Sequence, residues 1–366
     1  MAKFFLIALS VILIMHIYVS WHVWRLLPCS LPIKLIVLLC ILAAFASMIL
    51  QFRSNSLPLG LATAIYEIGN SWLIILFYLM MAFLVLDLGR LFHLVPAVWL
   101  KDNAVTALTL SGLMLTIFIA GNIHYHHKER QEVHLMTDKS LRYPIKIVLL
   151  SDLHVGYHNR RAEVGRWVNM INAEQADLIL IAGDMIDGKM RPLLAQGTAE
   201  EFSRFNAPTL MCLGNHEYIA GIDKVTDFIQ QTGINLLRDK AVTISNVTIV
   251  GRDDRSNRSR KNLEQLMHSV PHENFIILLD HQPFNLEEAE QNEVDLQLSG
   301  HTHHGQVWPL NLVTKMIYEC DYGLWERGKT NYYVSSGIGI WGGKFRIGTS
   351  SEYVVITVTP VTHSEH

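Results

Sequence analysis

LILIAGDMID, residues 178–187, is the stretch whose reading decides the architecture. Leu178 to Ala182 reads as a short, fully buried strand, and it runs straight into Gly183-Asp184-Met185-Ile186-Asp187. The same grammar occurs four more times. Ile145 to Leu150 runs into Ser151-Asp152-Leu153-His154, and Thr209 to Leu213 into Gly214-Asn215-His216-Glu217. Phe275 to Leu279 runs into Asp280-His281-Gln282-Pro283, and Leu296 to Leu298 into Ser299-Gly300-His301-Thr302-His303. In open α/β sheets, functional residues gather outside the carboxyl ends of the strands, which is where all these polar groups fall.

Between the strands lie helix-like segments, Asn159 to Asn172, Pro192 to Phe205 and Lys261 to Ser269. Val242 to Val250, Tyr332 to Ser335 and Tyr353 to Thr357 add further strand content. Alternation of this kind predicts a layered α/β domain over residues 144–360, long enough to bury a core of its own.

Imidazole, carboxylate and amide oxygen together suit borderline divalent ions of the Mn, Fe or Zn type. If the loops are extended, residues i and i+2 project to one side, so Asp152 with His154, and His301 with His303, would each face one point. Glycines before Asp184, Asn215 and His301 would allow close backbone approach or turn conformations. The donors exceed what one ion needs, whereas two ions about 3.5–4 Å apart, bridged by a carboxylate, would use them all. Taken singly, Asp152 or Asp184 reads more readily as a helix cap than as a ligand, and His281 before Gln-Pro reads as a turn residue.

The ordered series Asp-x-His (152–154), Gly-Asp (183–184), Gly-Asn-His-Glu (214–217), His281 and Gly-His-x-His (300–303) resembles the calcineurin-like metallophosphoesterases, over Ile145 to Thr357. SSGIGIWGGKFRIGTSSEYV (335–354) is similar to the C-terminal signature of the subgroup joined to membrane segments. The resemblance implies a metallophosphoesterase-type β-sandwich flanked by helices. It also implies a first ion on Asp152, His154 and His303, a second on Asn215, His281 and His301, and Asp184 between them. His216 would face the substrate, to stabilise phosphoryl oxygens or protonate the leaving group, with the ions supplying an activated hydroxide. His216 as a mere support for Asn215 is the plainer alternative. Asp187 is expected to support the site from behind its ligands. The subgroup often has glycine after Gly-His-Thr-His; here His304 stands there, either narrowing the pocket or simply filling a turn. Arg252, Arg255, Arg258 and Arg260 offer a clamp for a second phosphate or a headgroup, against the blander reading of a solvated mixed-charge loop.

Upstream the chain changes character. Phe4 to Val19, Ile33 to Leu50, Trp72 to Leu86 and Ala104 to Ala120 are apolar and, with their edges, long enough to span a bilayer. Trp21, Trp24, Trp72 and Trp99 suit interfacial belts. An all-α transmembrane region over residues 1–123 follows, then a polar juxtamembrane linker over 124–143. Asp87 and Arg90, three apart, either pair on one helix face or sit at the water interface. With four spans, the distribution of Lys3, Arg53, Lys128 and Arg130 leans toward a cytoplasmic catalytic domain.

The 366 residues are 50% hydrophobic and only 17% charged, which fits an integral membrane protein. A net charge of −3 argues against nucleic acid as a partner. Cys29, Cys40, Cys212 and Cys320 match neither a zinc nor a disulfide pattern; Cys40 and Cys212 read as small core residues. The expected partners are the lipid bilayer and a phosphorylated small-molecule or lipid substrate. The alternative reading makes the N-terminal bundle a sensor or transporter-like module, with a metal-binding regulatory phosphoesterase-like domain as its output.

Overall fold

The computed structural model describes residues 2–361. The chain divides into two compact units, Met1–Ile123 with Gly342–Phe345, and His124–Trp341 with Arg346–His366.

The first unit is helical: α1 (Ala2–Leu26), α2 (Leu31–Leu50), α3 (Leu59–Leu91) and most of α4 (Ala104–His126). All four helices are long and apolar enough to cross a membrane. Val19, Leu26, Leu76 and Phe83 form its buried centre. At Gly69 of α3 a Cβ would lie 2.9 Å from the Met48 backbone nitrogen, so only glycine lets α2 and α3 approach this closely. Asp87 does not pair with Arg90. Its carboxylate accepts from Tyr18 Oη at 2.8 Å and lies 3.0 Å from His22 Nε2, because α1 brings better-placed donors than the next turn of its own helix. Trp72 Nε1 donates to His16 Nε2 at 2.8 Å. Cys40, expected in a core, is exposed on α2, since one helix cannot bury every face. Lys3, counted above for membrane sidedness, has its side chain outside the described residues.

The second unit opens with β1 (Lys128–Thr137), which occupies half of the stretch read as a linker. β1 lies at a sheet edge, and only Val133, Leu135 and Thr137 turn inward, so its apolar alternation is short and its charged first half masks it. The remaining elements follow in order: β2 (Ile145–Leu150), α5 (Arg161–Ala173), β3 (Leu178–Ala182), α6 (Arg191–Gln196), α7 (Ala199–Phe202), β4 (Thr209–Cys212), α8 (Asn215–Ala220), α9 (Ile222–Thr232), β5 (Asn235–Leu236), β6 (Lys240–Ile244) and β7 (Val247–Gly251). Then come α10 (Leu263–Met267), β8 (Phe275–Leu279), α11 (Glu287–Gln291), β9 (Leu296–Ser299), α12 (Leu310–Ile317), β10 (Gly323–Arg327), β11 (Thr330–Val334) and β12 (Ser351–Pro360). The single run expected over 242–250 is two antiparallel strands, folded at Ser245 and Asn246, both at positive φ. The helix expected over 192–205 breaks at Gly197, a left-handed cap.

The strands form two six-stranded mixed sheets, in the orders β1-β12-β2-β3-β4-β5 and β10-β11-β9-β8-β7-β6. Within the first, β2, β3 and β4 are parallel; within the second, β7, β8 and β9 are parallel. Alternation along each strand sorts its side chains between layers. Ile147, Leu149, Leu178 and Leu180 meet Ile249, Ile277, Leu279 and Leu298 in one core shared by both sheets. Val148, Leu150, Ile179 and Ile181 face Trp167, Val168 and Phe228 of α5 and α9. Ile276, Leu278 and Val334 face Leu263, Leu266 and Met267 of α10. This layered β-sandwich between helices aligns the carboxyl ends of β2, β3, β4, β8 and β9, where the five polar loops begin.

Candidate metal centre

The loops bring the sequence-selected carboxylates and imidazoles together in two adjoining groups. Asp152, His154 and His303 form one, and Asp184, His281 and His301 the other. In the first, His154 Nε2 and His303 Nε2 are 3.0 Å apart, and His303 Nε2 is 3.4 Å from Asp152 Oδ1. In the second, His281 Nε2 is 3.1 Å from Asp184 Oδ2. Asp184 Oδ2 also lies 3.8 Å from His154 Nε2 and so stands between the groups. A third grouping, His154 with Asp184 and His216, closes the gap.

Several features fit cations. Ligands at about 2.1 Å from an ion sit roughly 3.0–3.4 Å from one another, close to the separations here. His281 Nδ1 donates to the Ala182 carbonyl at 2.7 Å, which fixes the tautomer and leaves a lone pair on Nε2. That Nε2 is buried without a hydrogen-bond partner, as is Asn215 Oδ1. Two buried acceptors with nothing to accept are costly unless an ion takes them. Burial alone would raise the pKa of Asp184; when protonated, the imidazoles of His281, His216 and His154 outweigh it and hold the carboxyl well below its usual value, a place that the charge of a cation would take.

The backbone achieves this by a route the sequence argument missed. Asp152, His154, Asp184, His301 and His303 all adopt positive φ, between 44° and 73°. Extended i, i+2 alternation is therefore not what aims the paired ligands; left-handed turns do, in conformations that non-glycine residues seldom adopt and only a packed surround sustains. The glycines serve packing as much as turning. A Cβ on Gly300 would lie 1.7 Å from Ser151 Oγ and 2.2 Å from Asp152 Oδ2. One on Gly214 would lie 2.2 Å from Asp184 Oδ1.

Supporting residues surround these carboxylates and imidazoles. Asp187 Oδ1 lies 3.5 Å from His154 Nδ1 and 3.8 Å from His216 Nδ1, one carboxylate facing both imidazoles. His216 is only partly buried, its ring edge-on to His154 at 4.5 Å, and its backbone N–H donates to Asp184 Oδ1 at 2.8 Å. Glu217, given no role from sequence, is fully buried and accepts from Gly214 N (2.7 Å), Asp184 N (3.0 Å) and Ile186 N (3.0 Å), tying the β3 loop to the β4 loop. Asn159 Nδ2 donates to the carbonyls of Leu153 (2.9 Å) and His154 (3.2 Å). Arg346 is also fully buried, and its guanidinium donates to the carbonyls of His303 (2.7 Å) and Ser336 (2.5 Å). Burial draws its pKa down to about 10, still far above neutrality. Arg346 leaves no local pattern in the sequence, because its His303 partner is a backbone carbonyl 43 residues away; Asn159 serves carbonyls five and six residues before it, and a carbonyl acceptor carries no side-chain signature.

The arginine-rich segment divides. Arg252 Nη1 meets Glu288 at 2.7 Å and Asp280 at 3.3 Å, and Arg260 Nη1 meets Asp280 at 3.4 Å, so both neutralise the buried carboxylate beside His281. Arg255 stays exposed, its guanidinium 4.7 Å from the Phe284 ring centre. Phe284 packs on Tyr318 at 4.8 Å, and Tyr318 lies 6.3 Å from the His301 ring. His304 stacks face to face on Tyr322 at 4.2 Å.

A double-sheet sandwich carrying grouped metal-ligand side chains at its strand ends defines a metallophosphoesterase-type domain. Residues 145–305 match the family model described as calcineurin-like phosphoesterase. The chain is 33% identical over 226 residues to an uncharacterized metallophosphoesterase of Aquifex aeolicus, covering 58% of this chain and 85% of that one. It belongs to the calcineurin-like phosphoesterase family. A Campylobacter jejuni metallophosphoesterase is 31% identical over 227 residues, 60% of each chain. A Danio rerio transmembrane protein with metallophosphoesterase domain is 28% identical over 231 residues, 58% of this chain and 53% of that one. The chain thus spans 60% of the Campylobacter relative's length and 64% of that of its Helicobacter pylori counterpart.

Proposed function

We propose that this chain is a membrane-anchored phosphoesterase that hydrolyses phosphate esters, diesters or pyrophosphates at a dinuclear metal centre. The observation that carries the reading is the position of Asp184 Oδ2, 3.1 Å from His281 Nε2 and 3.8 Å from His154 Nε2, between two groups of buried donors. Asp152, His154 and His303 would hold one divalent ion; Asn215, His281 and His301 the other; Asp184 both. When bound, such ions polarise phosphoryl oxygens and lower the pKa of water toward neutrality.

The protein side of the chemistry falls to the surrounding groups. His216, with its partly open imidazole, donates to a phosphoryl oxygen or to the departing oxygen, while Asp187 holds the ring in orientation. Arg255 and Arg258, both exposed, are cations available to a second phosphate. The four apolar helices anchor the domain at the bilayer, and the catalytic domain is read as cytoplasmic.

A second reading, a sensing or transporting helical module with a regulatory phosphoesterase-like domain, draws on the buried polar set of His16, His22 and Asn70 in the helical unit. Full-length protein in detergent, analysed for bound metal and tested on phosphate mono-, di- and pyrophosphate esters, separates the two. Hydrolysis that depends on Mn, Fe or Zn supports the enzyme, and a metal-loaded but inert protein supports the module.

A further inference from the structure

α12 is built inside out. Its sequence, LNLVTKMI, holds five apolar side chains, and none of its eight residues is buried. Met316 is 87% exposed, Ile317 59%, Leu312 52% and Val313 47%. The polar side of the helix turns inward instead: Thr314 Oγ1 donates to Asp321 Oδ2 at 2.9 Å, and Asn311 Oδ1 is buried. A surface helix of a soluble domain shows the opposite arrangement. A contiguous apolar face of this sort marks a surface whose working environment is not water.

We propose that α12 is an interfacial helix that lies in the bilayer surface and presents the metal centre to phosphate esters carried on lipids. Three observations select a bilayer over a protein partner. The chain itself carries four helices of bilayer-spanning length and composition, so a lipid surface is always at hand. Lys315 is exposed on the same helix, where it suits anionic headgroups, while the nearby Glu319 carboxylate is engaged by Arg327 Nη1 at 3.0 Å. Trp341, exposed and interfacial in type, directly precedes Gly342–Phe345, the four residues that belong to the helical unit; there Lys344 O accepts from Asn122 Nδ2 at 2.9 Å and Phe345 packs on Phe118 at 5.0 Å.

The placement has a catalytic consequence, which rests on the phosphoesterase reading above. α12 is bracketed by the centre. His303 lies seven residues before its first turn, and a Cβ on Gly305 would sit 2.2 Å from Asn311 N, so the ligand loop and the helix are packed backbone to backbone. Immediately after the helix, Tyr318 lies 6.3 Å from the ring of His301. A helix seated among headgroups therefore holds the ligand loop at the depth of lipid phosphates, and the substrate is drawn from the plane of the membrane.

The test uses the full chain in vesicles of phosphatidylcholine and phosphatidylglycerol. Cys29 and Cys40 are replaced by serine and alanine, Cys212 and Cys320 being buried, and a nitroxide is attached at Met316→Cys, Leu312→Cys or, as an exposed comparison, Glu264→Cys. The expected result is an oxygen-to-nickel-chelate accessibility ratio several-fold higher at 316 and 312 than at 264. Free access of the nickel chelate at 316 and 312 overturns the docking. Shielding from both oxygen and nickel also overturns it, in favour of a protein partner or a second copy. Hydrolysis of soluble bis(p-nitrophenyl) phosphate by the unmodified protein in the same vesicles with Mn is read separately. If that activity is missing, the phosphoesterase reading falls and the docking result still stands.

Discussion

Arg346 Nη1 donates to the carbonyl of His303 over 2.7 Å, across 43 residues of sequence. The same guanidinium serves Ser336 O, Gly337 O and Gly339 O, so one buried cation shapes the loop that presents the His303 imidazole at positive φ. This makes Arg346 a positioning residue. Arg346→Lys keeps the charge but loses the planar fork. Metal affinity is expected to fall by roughly 10–100-fold, as for other groups that orient ligands. Titration with a metal-sensitive dye checks this, and wild-type affinity in the lysine variant would show that the fork is dispensable.

Asn215→Ala removes the buried, unpartnered Oδ1. The variant is expected to fold normally, since no hydrogen bond to that oxygen is lost, and to bind one ion markedly more weakly. Metal content by mass spectrometry, together with hydrolysis of a soluble diester, reads the outcome. Equal activity and equal metal content would remove Asn215 from the ligand set.

Gly300→Ala tests close packing. Its Cβ would enter the space of Ser151 Oγ and Asp152 Oδ2, both on a buried loop that cannot retreat. Overpacking of this kind costs about 1–3 kcal/mol, and here it also displaces a ligand. Thermal unfolding in chelator isolates the packing cost, and the further loss with metal added reports the displaced carboxylate.

Glu174 gives a pH dependence away from the candidate metal centre. Arg130 Nε at 2.7 Å is the main cause that holds its carboxyl down to about 2, with Tyr353 and Lys146 adding to it against the effect of burial. A depressed carboxylate contributes stability that is complete above the ordinary carboxylate value near 4.5 and is lost as the pH falls through the folded value near 2. The stability gap between wild type and Glu174→Gln should therefore be constant above about pH 5 and close between about 4.5 and 2. Denaturant midpoints across that range measure it; a gap independent of pH would show that packing alone, and not the charge, matters.

Strand β1 sets the boundary of any soluble fragment. It pairs with β12 over its full length, adds Val133 and Leu135 to the core shared by the sheets, and carries Arg130 to Glu174. A fragment starting at residue 140 uncovers the β12 edge and is expected to aggregate, whereas one starting at 124 stays soluble. Size-exclusion profiles of the two decide the matter.

Much of this was legible in the chain itself. The strands ending at Leu150, Ala182 and Leu279 appear in the structure with the bounds read from the sequence; the last two are buried on both faces and so apolar throughout, and the first departs only at half-buried Lys146. The four long helices and the identity of the grouped carboxylates and imidazoles were equally local information. What only the tertiary structure decided depends on partners far away in sequence. An edge strand half covered with charge needs β12 before it reads as a strand, and Arg346 needs the His303 carbonyl before it has a role. Asp87 finds Tyr18 and His22 on another helix, and α12 shows its apolar side outward only once Asp321 has claimed its polar side. Local pattern fixes which residues must be hidden or can bind an ion; which face is hidden, and by what, is settled by long-range packing, and a linear pattern carries no record of it.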